Sequence, residues 1–409
     1  MVSRRRLLET VARLTPLAGV ATLLPGAAGR TPGPTFAFAP WLGPGLAASS
    51  PRARFWATAA SAGADCTACH TPPKTPSRAA AHTHDPTAVT CLLCAQRCAI
   101  RSGERGRCRA RENVRGELRS LVYGRPVAVH VDPIEKKPFY HFLPGAAAYS
   151  LGTTGCPLRC QFCQNWELSQ AAPEDFDVPV ITPAAVVDAA VTRGAPVIAF
   201  TYNEPTVFAE YVLDIASEAR RRGTRTALVS CGFMNEAPLT ELCGRLDAIK
   251  IDLKGFSESF YARVSGAALA PVLRSIRQVA RSGVHLEIVN LVVPTLNDDD
   301  ASLTALARWL LSEVGPDVPV HFTRFHPDFQ LRNLPPTPVE TLERARALAH
   351  DAGLRYAYVG NVPGHRWNHT YCPSCGQTVI ERANFLVTRV RLRAGRCDGC
   401  NARIAGVWS

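Results

Sequence analysis

Gly155-Cys156-Pro157-Leu158-Arg159-Cys160-Gln161-Phe162-Cys163-Gln164-Asn165-Trp166 is the stretch on which the reading of this chain turns. Three thiolates at CxxxCxxC spacing on one compact loop can hold three irons of a four-iron, four-sulfur cube. The fourth iron is then left without a protein ligand. An open iron is what a small molecule needs if it is to bind the metal through its own amino and carboxylate groups. The competing reading is a zinc knuckle short of one ligand, with His141 as the substitute. The setting weighs against it, because the loop heads a long strand–helix array rather than a small finger.

That array runs from about 147 to 362. Apolar runs predict strands at 147–153, 197–202, 225–230, 248–253, 286–293, 318–325 and 355–359, with helices such as 183–193, 207–222, 303–313 and 339–352 between them. Thr182 before Pro183 is a capping residue followed by proline at the first helical position. Strand–helix units of this length imply α/β architecture: a parallel sheet with right-handed crossovers, closed or partly closed as a (β/α)6-type TIM-like barrel of six or more strands. Working residues in such a barrel come from the carboxyl ends of the strands. Those ends carry Thr201-Tyr202-Asn203-Glu204-Pro205, Ser230-Cys231-Gly232-Phe233, Asp252-Leu253-Lys254, Asn290-Leu291-Val292-Val293-Pro294 and Arg324-Phe325-His326-Pro327-Asp328.

With Phe162 just before the last cysteine, the loop resembles the signature of the radical S-adenosylmethionine (SAM) superfamily. The stretches HVDPIEKKPFYHFLPG, GCPLRCQFCQNWELSQ, FTYNEPTVFAEY, IKIDLKGFSESFY, RFHPDF and CPSCG resemble the AmmeMemoRadiSam-system radical SAM enzymes, relatives of the pyruvate formate-lyase-activating enzymes. The resemblance covers residues 88–408. It implies a 4Fe-4S cluster on Cys156, Cys160 and Cys163, and SAM as the second cofactor. One electron from a low-potential donor would cleave SAM to methionine and a 5′-deoxyadenosyl radical that removes hydrogen from a substrate. It also implies SAM contacts from Phe162, Asn203, Glu204, Ser230, Asp252, Lys254 and Val293, with Lys254 and His326 as catalytic candidates. Cys231 departs from the asparagine more usual at its position. The structural alternatives are that Glu204 and Asp252 cap helices or pair with arginine, and that His326 is a turn residue.

Two further cysteine sets flank the array. Cys91, Cys94, Cys98 and Cys108, among several arginines, suit zinc or an auxiliary iron–sulfur cluster. Cys372, Cys375, Cys397 and Cys400 form a zinc-ribbon pattern around a β-like stretch at 378–393, with a rubredoxin-like iron as the alternative. The expected organisation is therefore a Cys-rich module at 88–130, the partial barrel at 131–362 and a zinc-ribbon-like module at 363–409. Residues 31–87, rich in Pro, Ala, Gly and Ser, read as a linker. Within it Cys66, Cys69 and His70 match a haem-attachment pattern, against exposed or metal-associated cysteines. Residues 1–30 read either as a twin-arginine export signal or as a chance basic start.

The chain has 409 residues and a net charge of +12, yet only five lysines: Lys74, Lys136, Lys137, Lys250 and Lys254. Arginine-rich coding explains most of that charge, and four of the lysines flank the motifs, which marks places where a compact ammonium is wanted. The fifteen cysteines are clustered and odd in number, which favours metal sites over complete disulfide pairing. No apolar run is long and clean enough for a stable membrane span. A protein or peptide substrate fits the kinship with activating enzymes. RNA fits less well, because the bases form no stripe with interleaved aromatics. A small-molecule substrate is a further alternative. A multi-cluster electron-transfer protein would leave Glu204 and Asp252 unexplained. SAM and low-potential electrons point to the cytoplasm, against the export reading.

Overall fold

The computed structural model describes residues 45–58 and 87–409; the basic start at 1–30 and the Cys66/Cys69/His70 motif lie outside them. Ahead of the barrel, β1 (Trp56–Thr58), β2 (Val89–Cys91) and β3 (Ala99–Ile100) form a small antiparallel sheet in that order. A hairpin of β4 (Arg111–Val114) and β5 (Glu117–Ser120) follows. The Cys-rich module therefore reaches back into the segment expected as linker. Trp56 pairs with Cys91, and Ala53 and Phe55 are buried, so these few apolar residues find their partners in the module rather than in a core of their own.

The central sheet runs in chain order: β6 (Ala128–Pro133), β7 (Ala147–Gly152), β8 (Val197–Phe200), β9 (Arg225–Ser230), β10 (Ala248–Asp252), β11 (His285–Val292), β12 (Val320–Arg324) and β13 (Ala357–Gly360). From β7 onward every pair is parallel, and β6 joins β7 antiparallel. The crossovers carry α1 (Pro183–Thr192), α2 (Ala209–Arg221), α3 (Glu236–Cys243), α4 (Leu269–Ser282), α5 (Asp300–Glu313) and α6 (Val339–Asp351). Strands covered on both faces read as unbroken apolar runs, and all four residues of β8 are buried. The crossover helices need only one apolar stripe. In α4 that stripe is Leu269, Val272, Ile276 and Val279, ended by Gly283 in the left-handed region. Thr182 caps α1 as expected, accepting from the Ala185 amide at 3.3 Å. The sheet's edges are β6 and β13, so the barrel is a partial one.

The C-terminal module contains β14 (Thr370–Tyr371), β15 (Thr378–Ala383) and β16 (Leu386–Val390), followed by the hairpin β17 (Leu392–Arg393) and β18 (Arg396–Cys397). It is fastened to the amino-terminal end of the barrel through buried polar groups. Glu287, near the start of β11, accepts from the amides of Tyr140 and His141 and lies 2.7 Å from His321 Nε2. Arg382 donates to the carbonyls of Tyr140 and Asn368 at 2.8 and 3.1 Å.

His141 sits within this network, far in role from any zinc knuckle. Its Nδ1 lies 2.5 Å from the Ala405 carbonyl, which can only accept, so Nδ1 carries the proton and Nε2 accepts from the Tyr358 hydroxyl at 2.5 Å. Burial holds its pKa down at about 3, with the nearby Glu287 charge only partly opposing. The unfolded chain therefore takes up this proton near pH 6.5 while the folded chain refuses it until about pH 3. The contribution is complete above pH 6.5 and falls away as the pH drops through the window below. Between pH 7.5 and 5 wild type is expected to lose about 2 kcal/mol more stability than His141→Gln, read from urea unfolding at the two pH values.

Candidate active site

The cysteine loop leaves the carboxyl end of β7, and two glycines fix its path. A Cβ on Gly152 would stand 2.4 Å from the Thr201 carbonyl oxygen, and one on Gly155 would stand 2.4 Å from that of Cys108. Gly155 also has φ +92°, which other residues rarely adopt. Asn203 braces the turn from the next strand: its side-chain oxygen accepts from the Thr153 amide at 3.1 Å, and its amide nitrogen donates to the Gly155 carbonyl at 2.9 Å.

Cys156, Cys160 and Cys163 all line one cavity of about 320 Å³, together with Phe162, Asn203, Glu204, Asp252 and Lys254. Burial pushes all three thiols above their ordinary pKa. Glu204 adds to the shift at Cys156, whereas Lys254 opposes it at Cys160 and Cys163. Buried or half-buried, protonated, disulfide-free thiols that converge on a void suit metal loading, because the metal takes the place of the protons. The donor set therefore fits a cluster held by three cysteines. The void is large enough for a small-molecule cofactor beside it.

The opposite wall is ionic. Asp252 pairs with Lys250 and, at 3.3 Å, with Lys254. Burial would raise the Asp252 pKa, but the two ammonium groups outweigh it and hold the carboxylate below its ordinary range. Burial likewise works against the Lys254 charge, and its neighbours, Asp252 foremost, more than restore it. The Lys254 ammonium lies 5.6 Å over the Phe162 ring. The alternative in which Asp252 pairs with arginine gives way to pairing with lysine.

Glu204 has both a capping and a wall position. Its carboxylate accepts from the Thr206 amide, the Ser230 hydroxyl at 2.7 Å and the Cys231 amide at 2.7 Å. Ser230 thus reaches the cavity through Glu204 rather than by lining it. Besides Ser230, two expected site residues are not brought to the cavity wall. Val289 and Leu291 line it, but β11 ends at Val292 and the chain turns, with the Val293 amide held by the Asn297 side chain at 2.6 Å. His326 is exposed, with Nδ1 3.2 Å from the Pro327 carbonyl; a residue before proline is kept extended, which carries this ring outward. Neither residue lines the cavity.

The cavity also has wall residues that motif reading missed. Tyr202 adopts φ +76°, a conformation normally left to glycine. Its hydroxyl donates to Asp132 at 3.2 Å and accepts from Lys137 at 3.3 Å, and the Lys137 ammonium also lies 4.6 Å from its ring. The scarcity of lysine and the stretch HVDPIEKKPFYHFLPG were the signals in the sequence for this cluster.

In the C-terminal module the sulfurs of Cys372 and Cys400 are 3.5 Å apart, those of Cys375 and Cys397 3.8 Å, and all four lie within 4.8 Å of one another. A tetrahedral ion with bonds of about 2.3 Å spaces its sulfurs by about 3.8 Å. This set fits one such ion.

Comparison with known proteins agrees with the geometry. The Radical SAM superfamily model matches residues 150–307. The uncharacterized protein MJ0808 of Methanocaldococcus jannaschii is 41% identical over 322 residues, covering 78% of this chain and 96% of its own length. Pyruvate formate-lyase 1-activating enzyme of Escherichia coli K12 is 24% identical over 223 residues, 50% of this chain and 89% of its own. Among solved structures, SuiB of Streptococcus suis bound to S-adenosylmethionine aligns with a TM-score of 0.43 at 10% identity, over 56% of this chain and 53% of SuiB. No helix among the described residues is long and apolar enough to cross a membrane. Three converging cysteines at the head of a partial barrel, a matching family model and a relative shared over most of its length make this chain a member of the radical SAM superfamily.

Proposed function

We propose that this enzyme binds its 4Fe-4S cluster through Cys156, Cys160 and Cys163 and acts as an activating-type enzyme on a protein or peptide. The observation that carries the site is the convergence of these three thiols on the cavity whose other wall holds Asp252 and Lys254. When bound, the reduced cluster supplies the electron that cleaves SAM and yields a 5′-deoxyadenosyl radical. The chain's own residues bind and orient. Lys254 offers an ammonium to a carboxylate, Asp252 and Glu204 offer acceptors to an amino group, and Phe162 walls off the loop from water. The activating-enzyme relatives support a polypeptide substrate, and the quoted motifs support the AmmeMemoRadiSam subfamily. We place the working enzyme in the cytoplasm, where SAM and a low-potential donor are at hand, and assign zinc to the C-terminal four cysteines.

Anaerobic reconstitution followed by dithionite and SAM is expected to give 5′-deoxyadenosine and methionine in equal amounts. An intact cluster that yields neither would overturn the reading. Cross-linking in cells is expected to capture a protein whose hydrogens exchange with the deoxyadenosyl group, and RNA or a small molecule in its place would reassign the substrate class.

A further inference from the structure

The four cysteines ahead of the barrel take no part in the cavity just described, yet they come together. Cys91 ends β2, Cys94 and Cys98 lie on the turn into β3, and Cys108 precedes β4. All four line one small enclosed void with Arg111 and Pro157. None is in a disulfide.

The spacing of their sulfurs separates two kinds of metal site. A single tetrahedral ion draws its ligands to about 3.8 Å of one another. A four-iron cube binds one sulfur at each corner and so spreads its ligands wider. Among the described residues, the C-terminal set is the one group of three or more potential ligands whose atoms all lie within 4.8 Å. The set at 91–108 is more open than that, as is the trio Cys156, Cys160 and Cys163.

A second observation points to a charged ligand. Arg111 is 1% exposed and lines the same void, and its Nε has no hydrogen-bond partner although its other nitrogens bond Glu210. A buried Nε–H left open beside four thiols, on a guanidinium whose charge Glu210 already balances, suits an anionic thiolate–metal centre in the void.

We propose that Cys91, Cys94, Cys98 and Cys108 hold a second 4Fe-4S cluster, fully ligated by protein, rather than zinc. The site is built onto the first cysteine loop. Gln96 donates to the Pro157 carbonyl at 3.0 Å, Arg159 donates to the Arg107 carbonyl at 2.5 Å, and Gly155 packs on the Cys108 carbonyl. Filling it therefore stiffens the segment that presents Cys156.

The test uses the full chain carrying Cys156→Ser, Cys160→Ser and Cys163→Ser, reconstituted anaerobically with iron and sulfide. About four irons and about four acid-labile sulfides per chain are expected to remain, with an electron paramagnetic resonance signal on reduction. A chain without labile sulfide that holds about two zinc ions overturns the proposal. Should the triple variant not fold, the chain carrying Cys94→Ser and Cys108→Ser is compared with wild type. A fall from about eight irons to about four supports the second cluster, and about four in both overturns it. Neither readout depends on SAM cleavage, so failure here and failure of the proposed function are told apart.

Discussion

Cys160→Ala is expected to abolish reductive SAM cleavage, lowering 5′-deoxyadenosine formation about a thousandfold or more under dithionite. Cys160 is the middle of the three thiols on the cavity wall. Removing it leaves two protein ligands for a cluster that already has one open corner. No neighbouring thiol of the loop can replace it, because Cys156 and Cys163 have their own corners to fill. Cys243→Ala, on the outer groove beside α4, is the matched control and is expected to retain full activity. Retained activity in the Cys160 variant would dismiss the site assignment.

The second large effect concerns stability. Arg111 and Glu210 form an ion pair that joins β4 to α2, with side chains 1% and 5% exposed and nitrogen–oxygen distances of 2.9 and 2.5 Å. The Glu210 carboxylate also accepts from the Arg54 amide at 2.9 Å, so one carboxylate ties together the first described segment, the hairpin and the barrel. Burial alone would raise its pKa, but Arg111 outweighs this and keeps it below the ordinary range. Glu210→Ala strands a buried guanidinium and is expected to cost about 3–5 kcal/mol in urea unfolding. Adding Arg111→Met should recover more than half, because the stranded charge is then gone. A single-variant loss under about 1 kcal/mol would show that water reaches the pair.

The barrel was legible because its strands are covered on both faces and read as apolar runs. Arg225–Ser230 agrees with expectation at both ends, and the others to within two residues at each end. The cysteine loop was legible because its chemistry depends on spacing along the chain. What depended on distant parts of the chain was not. The antiparallel β6 pairs across a long connection, and neither its direction nor its partner is encoded in its own six residues. Trp56–Thr58 lies in a stretch whose composition reads as linker, and only Cys91 and its neighbours make it a strand. Val293 keeps the alternation of Val289 and Leu291, but the turn held by Asn297 comes one residue too soon. Tyr202 entered the site through a left-handed backbone that no property of tyrosine announces.

The barrel's two edges have a mechanical consequence. At the foot, Tyr140 and His141, from the connection after β6, meet Tyr358 of β13, with ring centroids 4.9 Å apart for the tyrosines, and Arg382 of the last module clips the joint. Higher up, the cavity is lined from both sides of the same seam, by Lys136 and Lys137 beyond β6 and by Asn361 beyond β13. The barrel is thus a cuff buckled at one rim. A stretch of polypeptide can be laid into such a slot sideways, with both of its ends still outside, where a closed ring would have to be threaded from one end.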